Sequence, residues 1–255
     1  MAADAQKKRK KKRWKHKHFF GLLVLRLAIL IALGVGTHYW LTSSFFDVRQ
    51  VVVENNHHYT RQQIIEKADA RMGQNIFTVK TNQMRDALLE DPYMKSVRVK
   101  RSLPASIIIT VEERSEAAKV PYADRFIVID EDGLILRQST AELKLPLLLG
   151  MTIKTMEVGR PLEVEETSVL TGTLKMLEVM ESTDMFFKKI DISNVIIKAY
   201  IYDNLICEGM PENVMDSMIS GGLEKLLYEL YTNGVERGII YVGSDNYFSF
   251  NPMLE

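Results

Sequence analysis

Three spacings of hydrophobic residues succeed one another along the chain. From Phe19 to Leu41 the apolar run FFGLLVLRLAILIALGVGTHYWL is broken by one formal charge, Arg26. As a helix it would be about 34 Å long, enough to cross a hydrocarbon core of roughly 30 Å. Arg26 lies two turns in, where a long side chain can snorkel back to its own side, and Tyr39 and Trp40 mark the opposite interface.

After residue 45 strand and helix periods alternate. Phe46–Val53 reads as a strand, and Glu54–His58 as a polar turn. Thr60 with Gln63 forms a capping-box pattern ahead of a helix of about 11 residues striped by Ile64, Ala68 and Met72, with Gly73 as its stop. A second helix follows Thr81, with Met84 and Leu88 on one face, and ends before Pro92. Lys95–Arg101 alternates as a half-exposed strand, Val97 and Val99 to one side. After Leu103-Pro104, Ala105–Glu113 is a long strand with Ile107, Ile109 and Val111 on one face. Residues 46–114 thus predict a β-α-α-β-β unit.

The remainder reads as a larger, β-rich mixed unit. Strands are expected at 117–120, 126–129 and 134–137, with a hairpin tip at Asp132-Gly133. A helix covers Val164–Ser182, aligned by Leu170, Leu174 and Leu177. Strands follow at 187–192, 195–201 and 204–208. The longest exterior helix is expected over Glu212–Tyr231, striped by Met215, Ile219, Leu223, Leu226 and Leu230, weakened at Gly221-Gly222 and stopped at Asn233-Gly234. Strands at Gly238–Val242 and Tyr247–Phe250 close the pattern. The fold class is α+β: a membrane helix, the small unit and the larger one.

Charge adds direction. The 33 Lys+Arg and 33 Asp+Glu of the 255 residues cancel, but they are segregated. Residues 7–18 (KKRKKKRWKHKH) are almost all basic, and Asp4 is the sole acid before residue 47. The positive-inside rule then puts 1–18 in the cytoplasm and 42–255 outside, a single-pass protein. A buried core helix has no place for the polybasic run. A cleaved leader stays open beside an anchor, because Thr42-Ser43-Ser44 supplies small residues. A nucleic-acid tail is disfavoured by the run's position against the membrane segment. With 46% hydrophobic residues and one cysteine, Cys207, neither a disordered chain nor a disulfide scaffold fits.

Candidate chemistry is sparse. His57-His58 lacks a nearby carboxylate or cysteine to complete a metal set. Asp130-Glu131-Asp132-Gly133 lacks the ligand alternation of a calcium loop and reads as a hairpin tip. Glu112-Glu113 and Glu165-Glu166 read as solvated acids rather than a catalytic pair. There is no nucleophile elbow, S-x-x-K or phosphate loop. No catalytic, cofactor or metal residues are assigned. The terminal strands remain as an edge to which a partner strand could add, or as the close of the core through Tyr247, Phe248 and Phe250.

The stretches FDVRQVVVENNHHYTRQQI, Gly73 with NIF, and DPYMKSVRVKRSLPASIIITVEERSEA resemble the POTRA domain of the FtsQ/DivIB cell-division proteins. The resemblance is densest at Val97, Val99, Arg101, Pro104, Ile107, Ile109, Val111, Glu113, Arg114 and Ala117, and looser beyond about residue 140. It implies a basic tail (1–18), a membrane helix (19–41, with Phe19, Arg26, Tyr39 and Trp40 as anchor residues), a POTRA domain (46–115), a β domain (116–250) and a short tail (251–255). It also implies a non-enzymatic divisome scaffold at the septum that binds FtsL-like and FtsB/DivIC-like membrane proteins and helps control septal peptidoglycan synthesis. No nucleic acid, small-molecule substrate or cofactor is implied. In the family, FtsB/DivIC pairs with the C-terminal strands. On this chain that means Gly238, Ile239, Ile240, Tyr241, Val242, Gly243, Ser244, Tyr247, Phe248, Ser249 and Phe250, with Tyr241 and Val242 foremost. Glu116 stands where the family commonly has proline, so the turn out of the POTRA unit is expected to differ. The basic head and short tail lean towards a Gram-positive source. The competing functions are a POTRA adaptor in envelope protein assembly, although no alternating barrel spans follow here, and a cell-wall enzyme.

Overall fold

The computed structural model describes residues 2–183 and 185–253, with side chains from residue 21 onward apart from that of Glu181. The side chains of the basic run and of Phe19 lie outside the described residues, as do residues 254 and 255. The chain divides into two compact units: residues 1–54, 61–85 and 98–110, and residues 55–60, 86–97 and 111–255.

In the first unit, helix α1 (Ala2–Leu41) carries a segment, Gly21–Leu41, of mean hydropathy 1.9, none of it buried. Among the described residues it is the one helix long and apolar enough to cross a membrane. Arg26, Tyr39 and Trp40 all lie on it. Trp40 packs edge-on against Phe46 at 5.2 Å. A short 3-10 turn at Ser44–Phe46 precedes strand β1 (Gln50–Glu54). The strand expected from Phe46 therefore starts late, because residues 46–48 pair with the NIF connector instead. Val48 N–H donates to Gln74 O at 2.9 Å and Ile76 N–H to Phe46 O at 2.9 Å.

Helix α2 (Arg61–Lys67) stops short of the expected 11 residues. Asp69 adopts a left-handed conformation with φ +48 and breaks the helix, which leaves Met72 exposed while Ile64 and Ala68 are buried. Helix α3 (Thr81–Leu89) forms as the periodicity predicts, and Met84 and Leu88 are buried. Strands β2 (Met94–Ser102) and β3 (Ser106–Glu113) follow. The sheet order is β1-β3-β2, with β1 and β3 parallel. Ile107, Ile109 and Val111 are all buried, as their alternation requires. Arg101 donates to Ile76 O at 2.9 Å and Val79 O at 2.6 Å, which holds the connector between α2 and α3.

The second unit holds a nine-stranded sheet. Its strands are β4 (Ala118–Tyr122), β5 (Arg125–Ile129), β6 (Ile135–Ser139), β7 (Leu147–Leu149), β10 (Lys189–Asp191), β11 (Ile197–Tyr202), β12 (Leu205–Gly209), β13 (Gly238–Val242) and β14 (Phe248–Asn251). β8 (Ile153–Thr155) and β9 (Glu163–Val164) form a separate antiparallel pair. The order is β14-β13-β12-β11-β10-β7-β4-β5-β6. The pairs β4–β7, β7–β10 and β12–β13 are parallel.

Helices α4 (Thr167–Ser182), α5 (Pro211–Ile219) and α6 (Gly222–Thr232) share one buried cluster with the strand residues Ala118, Ile129, Leu148, Ile190, Ala199, Cys207 and Ile240. The opposite sheet face carries Leu149, Lys198, Tyr200, Glu208 and Tyr241. Cys207 is fully buried, and that burial pushes its thiol pKa up to about 12, so the sulfur stays protonated.

Three expectations are corrected here. The helix expected from Val164 begins at Thr167, because Val164 pairs with Ile153 in β9. The helix expected over Glu212–Tyr231 is two helices, since Gly221 takes φ +71 between them; α4, at 16 residues, is the longer element. The break rotates the buried face, so Val214, Ser217 and Met218 are inside and Ile219 is exposed. The strands β7, β8 and β9, of three, three and two residues, are too short to leave a periodic pattern in the sequence.

Thr173 on α4 is fully buried and its hydroxyl has no partner among the described residues. An unsatisfied buried hydroxyl costs stability that an isosteric methyl does not. Thr173→Val is expected to raise stability by about 1 kcal/mol, read as a higher urea midpoint at unchanged slope.

Candidate partner-binding edge

Strand β14 is positioned from both sides. Gly238 opens β13 at φ +150, and a Cβ there would lie 2.4 Å from the Phe250 ring, so the ring closes directly over the glycine. The turn at Ser244–Asn246 then reverses the chain, with Asp245 and Asn246 both left-handed. Asn246 Oδ1 accepts the Ser220 hydroxyl at 2.7 Å. A Cβ on Gly222 would meet that same oxygen at 3.1 Å and the Phe248 ring at 3.3 Å. The Gly221-Gly222 break between α5 and α6 is therefore the seat of the turn that leads into the last strand.

The pairing register fixes which backbone groups are free. Gly243 N–H donates to Tyr247 O at 2.8 Å. Antiparallel pairs alternate, so Tyr241/Ser249 and Ile239/Asn251 are the next hydrogen-bonded pairs. Phe248 and Phe250 consequently turn their N–H and C=O groups away from β13. Pro252, the next position of that parity, has no N–H to offer. Among the described residues no backbone group pairs with this outer side. At the other end of the sheet the start of β6 is covered: Ile135 N–H donates to Arg160 O at 2.9 Å and Gly159 N–H to Ile135 O at 2.8 Å.

The expected site residues thus separate. Strand β13 (Gly238, Ile239, Ile240, Tyr241, Val242) is interior, flanked by β12 and β14, and cannot accept an added strand. Ile240 and Val242 are core residues. The expectation that Val242 is a foremost contact is corrected on that ground. Tyr241, 41% exposed, stands on the open face across from exposed Ser249. Phe248 and Phe250 are half-buried against the core, while Tyr247 is exposed. The missed signal lay in the connection. Strands 204–208 and 238–242 are joined through helices, and such a crossover makes neighbouring strands parallel, leaving the strand after them outermost.

Other singled-out residues have structural partners. The Glu113 carboxylate accepts the backbone N–H groups of His57, His58 and Tyr59, so it is a turn cap and not a free surface acid. The His58 ring stacks on Tyr93 at 3.9 Å. Buried Asp130 accepts the N–H groups of Asp132 and Leu134, at 3.0 and 2.7 Å, and pairs with Arg114. Glu116 accepts Tyr93 Oη and Arg137 Nε, both at 2.6 Å. Burial would raise its carboxyl pKa, but these two donors outweigh that and hold it below the usual value. A proline here would supply none of these contacts.

An apolar anchor helix followed by a β-α-α-β-β unit and a larger mixed sheet defines a membrane-anchored POTRA protein. Residues 46–114 match the family described as "POTRA domain, FtsQ-type". The chain is 26% identical to the cell division protein DivIB of Clostridium acetobutylicum over 178 residues, covering 68% of this chain and 71% of that one. It is 26% identical to DivIB of Clostridium tetani over 216 residues, 82% and 79% of the two chains. It is 30% identical to the cell division protein FtsQ of Zymomonas mobilis over 132 residues, 51% and 41% of the two. Residues 46–114 thus carry an FtsQ-type POTRA domain, and over most of its length the chain is similar to cell division proteins named DivIB and, over about half of it, to FtsQ.

Proposed function

We propose that this protein is a non-enzymatic divisome scaffold that recruits a membrane-held partner of the FtsB/DivIC type, with FtsL-like proteins, by strand addition to β14. In this reading 1–18 is cytoplasmic, 19–41 spans the membrane, and the POTRA domain (46–115) and β domain (116–250) face outward at the septum. There the assembly influences the septal peptidoglycan synthases. The observation that carries the reading is the free outer side of β14, with the backbone groups of Phe248 and Phe250 turned outward. Backbone pairing supplies general affinity, and Tyr241, Ser249 and Tyr247 on or beside the exposed face select the partner.

The test is photo-crosslinking in dividing cells from probes at Ser249 and Tyr247, with a probe at exposed Tyr122, on β4, as control. Capture of a single-pass coiled-coil division protein from the first two positions alone is expected. Equal capture from all three, or even envelope labelling by a fluorescent fusion without midcell enrichment, would contradict the reading.

A further inference from the structure

The first unit carries apolar side chains that its own core does not enclose. Phe45 is 51% exposed, Phe77 44% and Leu103 61%. Scattered exposures of this kind are ordinary, but hydrogen bonds and ring contacts gather these three at the end of α1. Asn75 Nδ2 donates to the carbonyl of Leu41, the last residue of α1, at 2.8 Å, and Phe77 N–H donates to Asn75 Oδ1 at 3.1 Å. The Phe46 ring lies 5.2, 5.0 and 5.1 Å from those of Trp40, Phe45 and Phe77. Leu103 occupies the turn between β2 and β3. On one side of that turn Arg101 holds the carbonyls of Ile76 and Val79, and on the other Ala105 O accepts the Arg49 N–H at 2.8 Å.

Charge at this end is one-sided. The segments that form it are 42–49, 69–80 and 100–105, and their cations are Arg49, Arg71, Lys80, Lys100 and Arg101. Their acids are Asp47 and Asp69, and Asp69 is taken up by Arg71 at 3.0 Å. Among the described residues the ammonium groups of Lys80 and Lys100 have no hydrogen-bond or ion-pair partner. Exposed rings beside unpaired cations suit the headgroup layer of a membrane, where aromatic residues settle and basic ones meet anionic lipid. That layer is about 5–7 Å deep on each side of the hydrocarbon core. Phe77 stands two residues from a side chain that touches the end of the span, a reach of at most about 7 Å. The surface is thus continuous with the lipid-facing helix, and the occupant within its reach is the bilayer itself.

We propose that this end of the first unit, through Phe45, Phe77 and Leu103 with Lys80 and Lys100, docks on the leaflet from which α1 emerges and binds the phosphates of anionic lipids. The proposal rests on Gly21–Leu41 spanning the membrane and is independent of β14. The test is nitroxide EPR on the full chain in nanodiscs of phosphatidylglycerol and phosphatidylcholine in equal parts. Labels go on Leu103→Cys, on Ile31→Cys within the span, and on Gln62→Cys at the start of α2. Cys207, buried and protonated, does not compete for the label. Shielding from a water-soluble nickel complex, with access to oxygen, is expected at 31 and 103, and full exposure to the complex at 62. Lys80→Gln with Lys100→Gln should weaken docking about 30-fold, seen as a water-exposed component appearing at 103. The chain without those two changes should behave alike in pure phosphatidylcholine. A label at 103 as open to the nickel complex as that at 62 would overturn the proposal while leaving the span intact. So would equal shielding at 103 in both lipids and in the double variant. A label at 31 in water would overturn the span and the proposal together.

Discussion

Phe250→Pro is expected to abolish crosslinking of the partner to β14 in membranes. The substitution removes one of the two outward N–H groups on the free side of the last strand. It also removes a ring that packs over Gly238, so loss of capture alone would not identify the cause. Phe250→Ala separates the two effects, since it loses the same ring and keeps the N–H. If strand addition at β14 is the mode of recognition, the alanine variant retains most of the crosslink and the proline variant retains almost none. Both should still fold, because Phe250 is half-buried and truncating it costs less than the roughly 3–5 kcal/mol of a fully buried Phe→Ala change. Equal capture by the two variants would move the docking surface away from this edge. Tyr241→Pro is the poorer choice: β13 is interior, and a proline there breaks a ladder within the sheet.

Arg114→Leu is expected to destabilise the second unit by about 3 kcal/mol or more. Asp130 is 1% exposed and Arg114 16%. Removing the cation leaves a carboxylate in a dry site, with two backbone N–H donors but no counter-charge. Breaking a buried pair from one side costs roughly 3–5 kcal/mol, against up to about 1 for an exposed pair. The Arg114 guanidinium also bonds Asp132 at 2.8 Å, so Lys, a point charge without the fork, should recover only part of the loss. Adding Asp130→Asn to Arg114→Leu removes the stranded charge and should restore a large share of the stability. The readout is the urea midpoint of each variant. A loss under about 1 kcal/mol for Arg114→Leu would mean the site is wetter than its burial indicates.

Much of this architecture is legible in the chain, for identifiable reasons. The two-residue spacing of Ile107, Ile109 and Val111, with Ser106, Ile108, Thr110 and Glu112 on the other face, fits one orientation of β3, and Met84 with Leu88 fits one of α3. Asp132-Gly133 required a tight turn and makes one. Where the reading failed, the deciding interaction was remote in sequence. Nothing within Phe46–Val48 reveals that its backbone pairs with residues 73–76 instead of extending β1. The three leucines of β7 are too short a run to mark a strand by themselves, and they form one because β4 and β10 flank them. Gly221-Gly222 was visible as a weak point in a helix. That it is a complete break, seating Asn246 and Phe248, depends on a turn more than twenty residues away. The same limit governs the candidate site. Composition marked the C-terminal strands, whereas which of them is outermost is a property of the whole sheet.

The outward side of β14 offers four polar backbone groups, two donors and two acceptors on Phe248 and Phe250. At about 1 kcal/mol net per hydrogen bond, such a ladder is worth about 4 kcal/mol, a dissociation constant on the order of 1 mM in free solution. If a partner strand adds there as proposed, a contact that weak would persist with both molecules confined to the same plane, where their local concentration reaches the millimolar range. Extraction into dilute micelles would dissolve it, and two-dimensional crowding at a constricting ring would restore it without any change in either chain.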